Sequence, residues 1–544
     1  MALSHVKGPI SAPLYEGTIG DALHRAAKRW PNKAALISSH QNIRLDYAEL
    51  LAQSQNFGLG LLALGLNPGD RVGIWAPNCV EWTITQFGTA LAGLVLVNIN
   101  PDYRPRELEY ALDKVGCKAL VLTHKSKHAD YVQMVDGLKE TGALPSLTDL
   151  ILIGENAPQG YVSFAQIIQN GAQMDTAQLS EIQNSLSADD PINIQFTSGT
   201  TGAPKGATLT HRNILNNAYF TGEAQNMGPD DKLCIPVPLY HCFGMVMGSL
   251  ACCLHGSTAI YASEKFDAGA VLETIAHEKC TAVYGVPTMF IAMLDHPDFS
   301  SFNLTSLRTG VMAGSPCPIE VMKRVISDMN MGEVTIGYGM TETSPISFQT
   351  SKDDPLDKRV STVGRVHPHV EVKIIDEQGG TVKRGVKGEL CTRGYSVMRG
   401  YWKDEGKTAE AIDADGWMHT GDLAVIDEDD YCDIVGRVKD MLIRGGENIF
   451  PREIEDFLFT HQDIAEAQIF GVPDAKYGEE VCAWIRLAPG AKLTDADIKA
   501  FCKDQIAHFK IPKHIRFVEE FPLTVTGKIK KTVMREVMSK ELKL

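Results

Sequence analysis

Ten consecutive residues, Thr197-Ser198-Gly199-Thr200-Thr201-Gly202-Ala203-Pro204-Lys205-Gly206, gather four hydroxyls, three glycines and one lysine. Glycines let a backbone approach a ligand closely, hydroxyls and backbone N–H groups donate hydrogen bonds, and a lysine adds positive charge. That combination suits a polyphosphate. The spacing is not that of a Walker loop, so a different cradle is expected. Three further stretches set single charged groups among small and turn-forming residues: Tyr338-Gly339-Met340-Thr341-Glu342-Thr343, Asp415-Gly416-Trp417-Met418-His419-Thr420-Gly421-Asp422, and Pro522-Leu523-Thr524-Val525-Thr526-Gly527-Lys528. A carboxylate such as Glu342 suits a hard cation, and one such as Asp422 accepts hydrogen bonds from hydroxyls.

These groups need rigid elements behind them. The hydroxyl-rich loop follows a strand-like run at 192–196 and precedes a helical pattern from His211. Short apolar runs at 71–76, 119–123, 150–153, 282–286 and 309–313 alternate with helical patterns, which marks βαβ units and mostly parallel sheets. Thr18 caps an expected amphipathic helix carrying Leu23, Ala26, Ala27 and Trp30. Near residue 370 the texture changes: runs at 370–375, 388–392 and 424–426 between glycine-rich turns point to an antiparallel subdomain. The expected fold is therefore α/β. A large domain over 1–437 would hold two βαβ-type subdomains and the β-rich one, and a small mobile α+β domain would span 438–544.

A chain of 544 residues, 44% hydrophobic, holds more core than one ordinary domain. Its net charge of -15 argues against a nucleic-acid partner. From Lys503 onward, however, ten basic residues face five acidic ones. The twelve cysteines include no CxxC pair, so neither a zinc site nor a disulfide framework is expected. The first residues lack a signal-peptide core, and the most apolar stretch, 245–261, is too short and polar to span a bilayer. A cytoplasmic enzyme without integral membrane contact is expected; a homodimer is compatible with this composition.

The ten-residue loop resembles the phosphate-binding signature of the adenylate-forming superfamily, which includes acyl-CoA synthetases, peptide-synthetase adenylation domains and firefly-type luciferases. The similarity runs from about residue 15 to residue 531 with the motifs in family order. The resemblance implies that Thr197, Ser198, Gly199, Thr200, Thr201, Gly202 and Lys205 bind the ATP phosphates. It places adenine against Gly314, Ser315, Pro316 and the 337–341 segment (Gly337, Tyr338, Gly339, Met340, Thr341), with Tyr338 stacked on the base and Thr341 on the α-phosphate. Glu342 would hold Mg²⁺, with Thr197 as a second contact, while Asp422 and Arg437 hold the ribose. Lys439 would be the hinge. Lys528 would enter during adenylation and bridge the attacking carboxylate and the α-phosphate. Lys205, Thr341, His241 and Lys528 are the implied catalytic set.

The second substrate follows from Gly445-Gly446-Glu447. In acyl-CoA synthetases the glycines at this place line the pantetheine tunnel, where a side chain would obstruct a thin thiol-bearing arm. Coenzyme A is thus the expected acceptor, with a separate carrier protein, luciferase-like oxygenation and a non-enzymatic nucleotide sensor as the alternatives. The acyl pocket is expected at His241, Phe243, Met245 and Met312, with His241 as a gate. Beyond it, Met247, Gly248, Leu250 and Ala251 suggest an extended apolar slot. The segment looks most like that of medium-chain fatty acyl-CoA ligases; aryl acids and small sulfur-containing or branched acids are the other readings.

Overall fold

The computed structural model describes residues 2–126, 129–197, 204–445, 447–524 and 528–543. Two large sheets carry the βαβ alternation. The first runs in spatial order Val162–Ser163, Asp149–Ile153, Ala119–Thr123, Arg71–Trp75, Val95–Asn98, Pro191–Thr197, Lys205–Thr210, Gly400–Tyr401. Its strands are parallel as far as Pro191–Thr197. Lys205–Thr210 then returns antiparallel, with Thr197 opposite Lys205. The two ends of the hydroxyl-rich loop are thus fixed as cross-strand neighbours.

The second sheet has a parallel centre formed by Glu333–Gly339, Thr309–Ala313, Ala282–Gly285, Lys232–Cys234, Thr258–Tyr261 and Ala34–Ser38. Helices Tyr47–Ala63 and Val80–Leu91 fill the space between the sheets. One core joins Val72, Ile74 and Val121 of the first sheet to Leu36, Tyr284, Val311 and Ala313 of the second. Strands covered on both faces read as unbroken apolar runs. The N-terminal helix forms over Ile19–Arg29 with Thr18 in a reciprocal capping box with Asp21, so that two orphan N–H groups are satisfied.

The β-rich subdomain is an antiparallel sheet of His5–Lys7, Val370–Ile375, Gly388–Gly394, Met418–Ile426 and Cys432–Arg437. It packs Val372, Ile374 and Leu390 against the far face of the second sheet. The first strand comes from the N-terminus, which carried no strand signal of its own.

After Arg437 the chain builds another sheet, from Leu442–Arg444, Glu447–Ile449, Ile464–Asp474, Gly478–Leu487 and His514–Phe517. Its own apolar clusters centre on Ile454, Ile469, Val481 and Met534. Half of the ten basic residues of the tail form ion pairs here: Lys510 pairs with Glu453, Lys513 with Asp474, Arg516 with Glu541, Lys531 with Glu455 and Arg535 with Glu479. No helix among the described residues is long and apolar enough to cross a membrane.

Candidate active site

The loop strands, the strand at Glu333–Gly339 and the β-rich subdomain meet in one cleft. Glu342 sits on the single turn Thr341–Thr343 that follows Glu333–Gly339, and all three residues of that turn are buried. The turn is brought close by Gly339, where a Cβ would lie 1.7 Å from the Pro345 carbonyl oxygen. Thr197 Oγ1 donates to Glu342 Oε1 at 3.2 Å. Tyr401 OH donates to the same oxygen at 2.8 Å and accepts from Lys205 Nζ at 2.9 Å. Burial, foremost, and the Glu342 charge push the Tyr401 phenol well up, so it stays protonated. Ser198, Gly199, Thr200, Thr201 and Gly202 lie outside the described residues.

On the other side of the cleft, Asp422 and Arg437 face each other across adjacent strands, with Arg437 Nε 2.9 Å from Asp422 Oδ1. Tyr338 OH donates to Asp422 Oδ2 at 2.6 Å. Burial first, then the Asp422 charge, hold that phenol well above its ordinary range. Gly314, Ser315 and Pro316 form the turn that leaves strand Thr309–Ala313. Gly314 adopts φ +90°, and a Cβ there would come within 3.7 Å of Lys528 Cε. Gly337 is close-packed as well, its Cβ position 3.0 Å from Ile346 Cδ1. Met340 caps the turn that presents Thr341 and Glu342.

Lys528 therefore reaches this cleft from the small C-terminal sheet domain. Its own loop is tied by Thr524, whose Oγ1 accepts from the Lys528 N–H at 2.9 Å and whose N–H donates to the Lys528 carbonyl at 2.6 Å. Loss of water around the amine, foremost, and the Arg437 charge, second, lower its pKa, while Asp422 and Glu342 act the other way. His241 is held neutral: burial, and next the Lys528 charge, lower its pKa to about 3. Its Nδ1 accepts the Phe243 N–H at 3.2 Å, which leaves the ring proton on Nε2. One cleft thus collects Lys528, His241, Glu342, Asp422, Arg437, Lys205 and Thr341 from six separate stretches of chain.

The apolar residues divide differently. Phe243 stacks on Tyr284, with ring centroids 5.6 Å apart. Met245 opens a π-helical turn, Met245–Leu250, and its Sδ accepts from Asn98 Nδ2 at 3.2 Å and Gln195 Nε2 at 3.3 Å. Such turns are frequent beside functional sites. Met312, expected beside them, belongs to the opposite face. Side chains alternate along a strand, and Thr309–Ala313 sends Val311 and Ala313 into the core with Phe243 and Met245 but Met312 into the core beneath the β-rich sheet. The run expected as an open slot is densely packed: Met247, Leu250 and Ala251 are buried, and a Cβ on Gly248 would meet Ile235 Cδ1 at 2.8 Å.

Lys439 lies exposed on the short turn Val438–Asp440 between the β-rich sheet and the next strand. Gly445, with φ +61°, turns the hairpin between Leu442–Arg444 and Glu447–Ile449, and Glu447 is exposed. Gly446 lies outside the described residues. Tyr401 is the site residue that sequence reading missed. A single tyrosine after Gly400 carries no spacing signal, and only the pairing of Ala207 with Tyr401 brings it to Lys205. A further cluster was also unforeseen: ligand atoms of Glu389, Cys391 and His419 lie within 4.8 Å of one another on the β-rich sheet. His419 Nδ1 lies 3.2 Å from Glu389 Oε2, and Nε2 lies 3.6 Å from Asp413.

A two-sheet α/β body with this cleft, closed by a small sheet domain that contributes one lysine, is found in a known group. Residues 23–402 match the AMP-binding enzyme family and residues 453–528 the AMP-binding enzyme C-terminal domain. The chain belongs to the AMP-binding enzyme family. It is 47% identical to the medium-chain acyl-CoA ligase ACSF2, mitochondrial, of Danio rerio, over 100% of this chain and 92% of that protein. It is also 47% identical to the putative acyl-CoA synthetase YngI of Bacillus subtilis (strain 168), over 96% of this chain and 98% of that protein. Among solved structures, the anthranilate CoA ligase AuaEII in complex with anthranoyl-AMP superposes with a TM-score of 0.88 at 27% identity, covering 98% of this chain and 99% of that one. ATP-bound MatB from Rhodopseudomonas palustris gives 0.83 at 29% identity, covering 96% and 99%.

Proposed function

We propose that the protein is an ATP-dependent acid–CoA ligase that forms an acyl-adenylate and passes the acyl group to coenzyme A, with medium-chain fatty acids as its substrates. One observation carries the reading: Lys528, the only strongly desolvated amine brought to the cleft by the small domain among the described residues, lies beside Glu342, Asp422 and His241. In the first step a carboxylate oxygen attacks the α-phosphorus of ATP, the bond to the β-phosphate breaks, and pyrophosphate leaves. Lys528 places its charge between the two anions and offsets the negative charge that develops there. Thr341 contacts the α-phosphate; Lys205 and the loop hydroxyls take the outer phosphates; Asp422 and Arg437 take the ribose. Asp422 is already held by the Tyr338 phenol and Arg437, so a ribose exchanges with the phenol as Tyr338 turns to the base.

Glu342 and Thr197 fit a magnesium ion, because a buried carboxylate with an adjacent hydroxyl is a set of hard oxygen donors. Magnesium would there supply Lewis-acid neutralisation of the phosphate oxygens. In the second step the coenzyme A thiol loses its proton to solvent, its sulfur attacks the acyl carbon, the mixed-anhydride C–O bond breaks, and AMP leaves. The passage to it would follow rotation of residues 438–544 about Lys439, bringing Gly445, Gly446 and Glu447 to the cleft. The neutral His241 ring, with its proton on Nε2, suits a gate that moves without carrying charge.

The medium-chain assignment rests on the full-length likeness to the relatives so named. An apolar pocket separates neighbouring chain lengths by only ~1–3 kcal/mol per methylene, so activity should taper on either side of an optimum. The test is CoA-dependent AMP formation across a homologous series of straight-chain acids, with anthranilate and malonate alongside. An optimum at an aryl or dicarboxylic acid would refute the assignment.

A further inference from the structure

Tyr401 touches the two charged groups that the reaction asks to work together. Its hydroxyl donates to Glu342 Oε1 at 2.8 Å and accepts from Lys205 Nζ at 2.9 Å, and the same ammonium lies 4.3 Å from the ring centroid. The side chain is only 6% exposed. The backbone around it is stitched to both partners: the Met398 N–H donates to the Glu342 carbonyl, the Arg399 N–H to the Thr208 carbonyl and the Trp402 N–H to the Gly206 carbonyl, at 2.9, 3.0 and 2.7 Å. Tyr401 therefore cannot shift without moving the turn of Glu342 and the strand of Lys205.

A phenol has one proton, and here it is committed to the carboxylate, so the lysine meets a lone pair. The chain ammonium–phenol–carboxylate links a cation and an anion through one neutral group and fixes the direction of Glu342 Oε1. We infer that Tyr401 is a positioning residue that sets the affinity of this cleft for a metal–triphosphate by orienting Glu342 and by parking Lys205 until the phosphates arrive. This rests on the ligase reading above only in naming the triphosphate as ATP. The Tyr401 hydroxyl meets Glu342 and Lys205, neither of which the reading above gives a part in thioester formation, so that step should be independent of it.

The test is Tyr401→Phe, which keeps the ring packed under Lys205 and removes only the hydroxyl. Binding of Mn²⁺–ATP is followed by loss of the free-Mn²⁺ electron paramagnetic resonance signal, with no acid present. Binding of ATP in chelator is measured beside it. Losing one hydrogen bond to a charged group should weaken Mn²⁺–ATP by roughly ten- to a hundred-fold. ATP in chelator should bind no more weakly, because Lys205 is then free to meet it. Conversion of supplied acyl-adenylate and CoA to thioester should be unchanged. Equal loss of binding with and without metal, or a fall in the thioester step, overturns the inference and makes Tyr401 a packing residue. Unchanged Mn²⁺–ATP binding overturns it too. Wild-type protein that activates no carboxylic acid overturns the ligase reading alone, since Mn²⁺–ATP binding is read without any acid.

Discussion

Replacing Lys528 with alanine separates the two half-reactions. The amine is desolvated, lies near the Arg437 charge that repels it, and is drawn by Asp422 and Glu342. In the resting protein the balance runs against the charged amine, so Lys528→Ala should not destabilise the fold. The incoming carboxylate and α-phosphate alter that balance, because both are anions facing a single mobile cation. A charge about 4 Å away at an effective dielectric of about 20 contributes about 4 kcal/mol. The loss of one such contact costs about 10²–10³ in rate. The assay is ATP–pyrophosphate exchange with acid, set against thioester formation from supplied acyl-adenylate and CoA. Exchange should fall by that factor while the second step keeps near wild-type rate, if the small domain rotates as proposed and withdraws the lysine. Equal loss in both assays would refute the reasoning, and no loss in either would transfer the role to a neighbour such as Lys530 or Lys531.

Gly339→Ala would set a Cβ 1.7 Å from the Pro345 carbonyl oxygen, so the backbone must open by an amount that costs about 3 kcal/mol or more. The urea midpoint and ATP binding should fall together; a midpoint like that of the wild type would mean that the approach is looser. Gly446→Trp should leave acyl-adenylate formation intact and abolish thioester production, whereas loss of both steps would make the glycine a folding residue. His211 and His367 are buried and neutral, with pKa values lowered to about 4 and about 3 chiefly by burial. The unfolded chain takes up their protons below its ordinary histidine range near pH 6.5, whereas the folded protein does so only near pH 3–4. Stability is therefore complete above that range and lost as pH falls, by about 2 kcal/mol per histidine at pH 5. Thermal unfolding scanned from pH 7 to 5 checks this, and a melting temperature independent of pH would contradict it.

The strands flanking the hydroxyl-rich loop, the capped helix after Thr18 and the antiparallel texture after residue 370 were legible because each rests on local periodicity or turn chemistry. The convergence of Glu342, Asp422 and Lys528 on one cleft was legible through motif likeness. What local pattern does not encode is which distant strand lies beside which. His5–Lys7 pairs with Val370–Ile375 across almost the whole large body, and nothing near residue 5 announces it. Tyr401 reaches Lys205 only through an edge pairing of a two-residue strand. Met312 was expected in the acyl pocket with Phe243 and Met245 but packs in the other core, because Thr309–Ala313 is buried on both sides. An unbroken apolar run has no alternation from which to choose a face. The same density of apolar residues made the 245–251 stretch resemble a slot, where Gly248 in fact makes room for Ile235.

ATP–pyrophosphate exchange without coenzyme A shows whether a complete adenylation site acts before coenzyme A is engaged. Purified protein is supplied with labelled pyrophosphate, ATP, Mg²⁺ and a medium-chain fatty acid, with CoA withheld. Label should appear in ATP at a rate that depends on the acid, because Lys528, Glu342 and Asp422 already face one another in the cleft. Exchange that appears only when CoA is added would contradict the account.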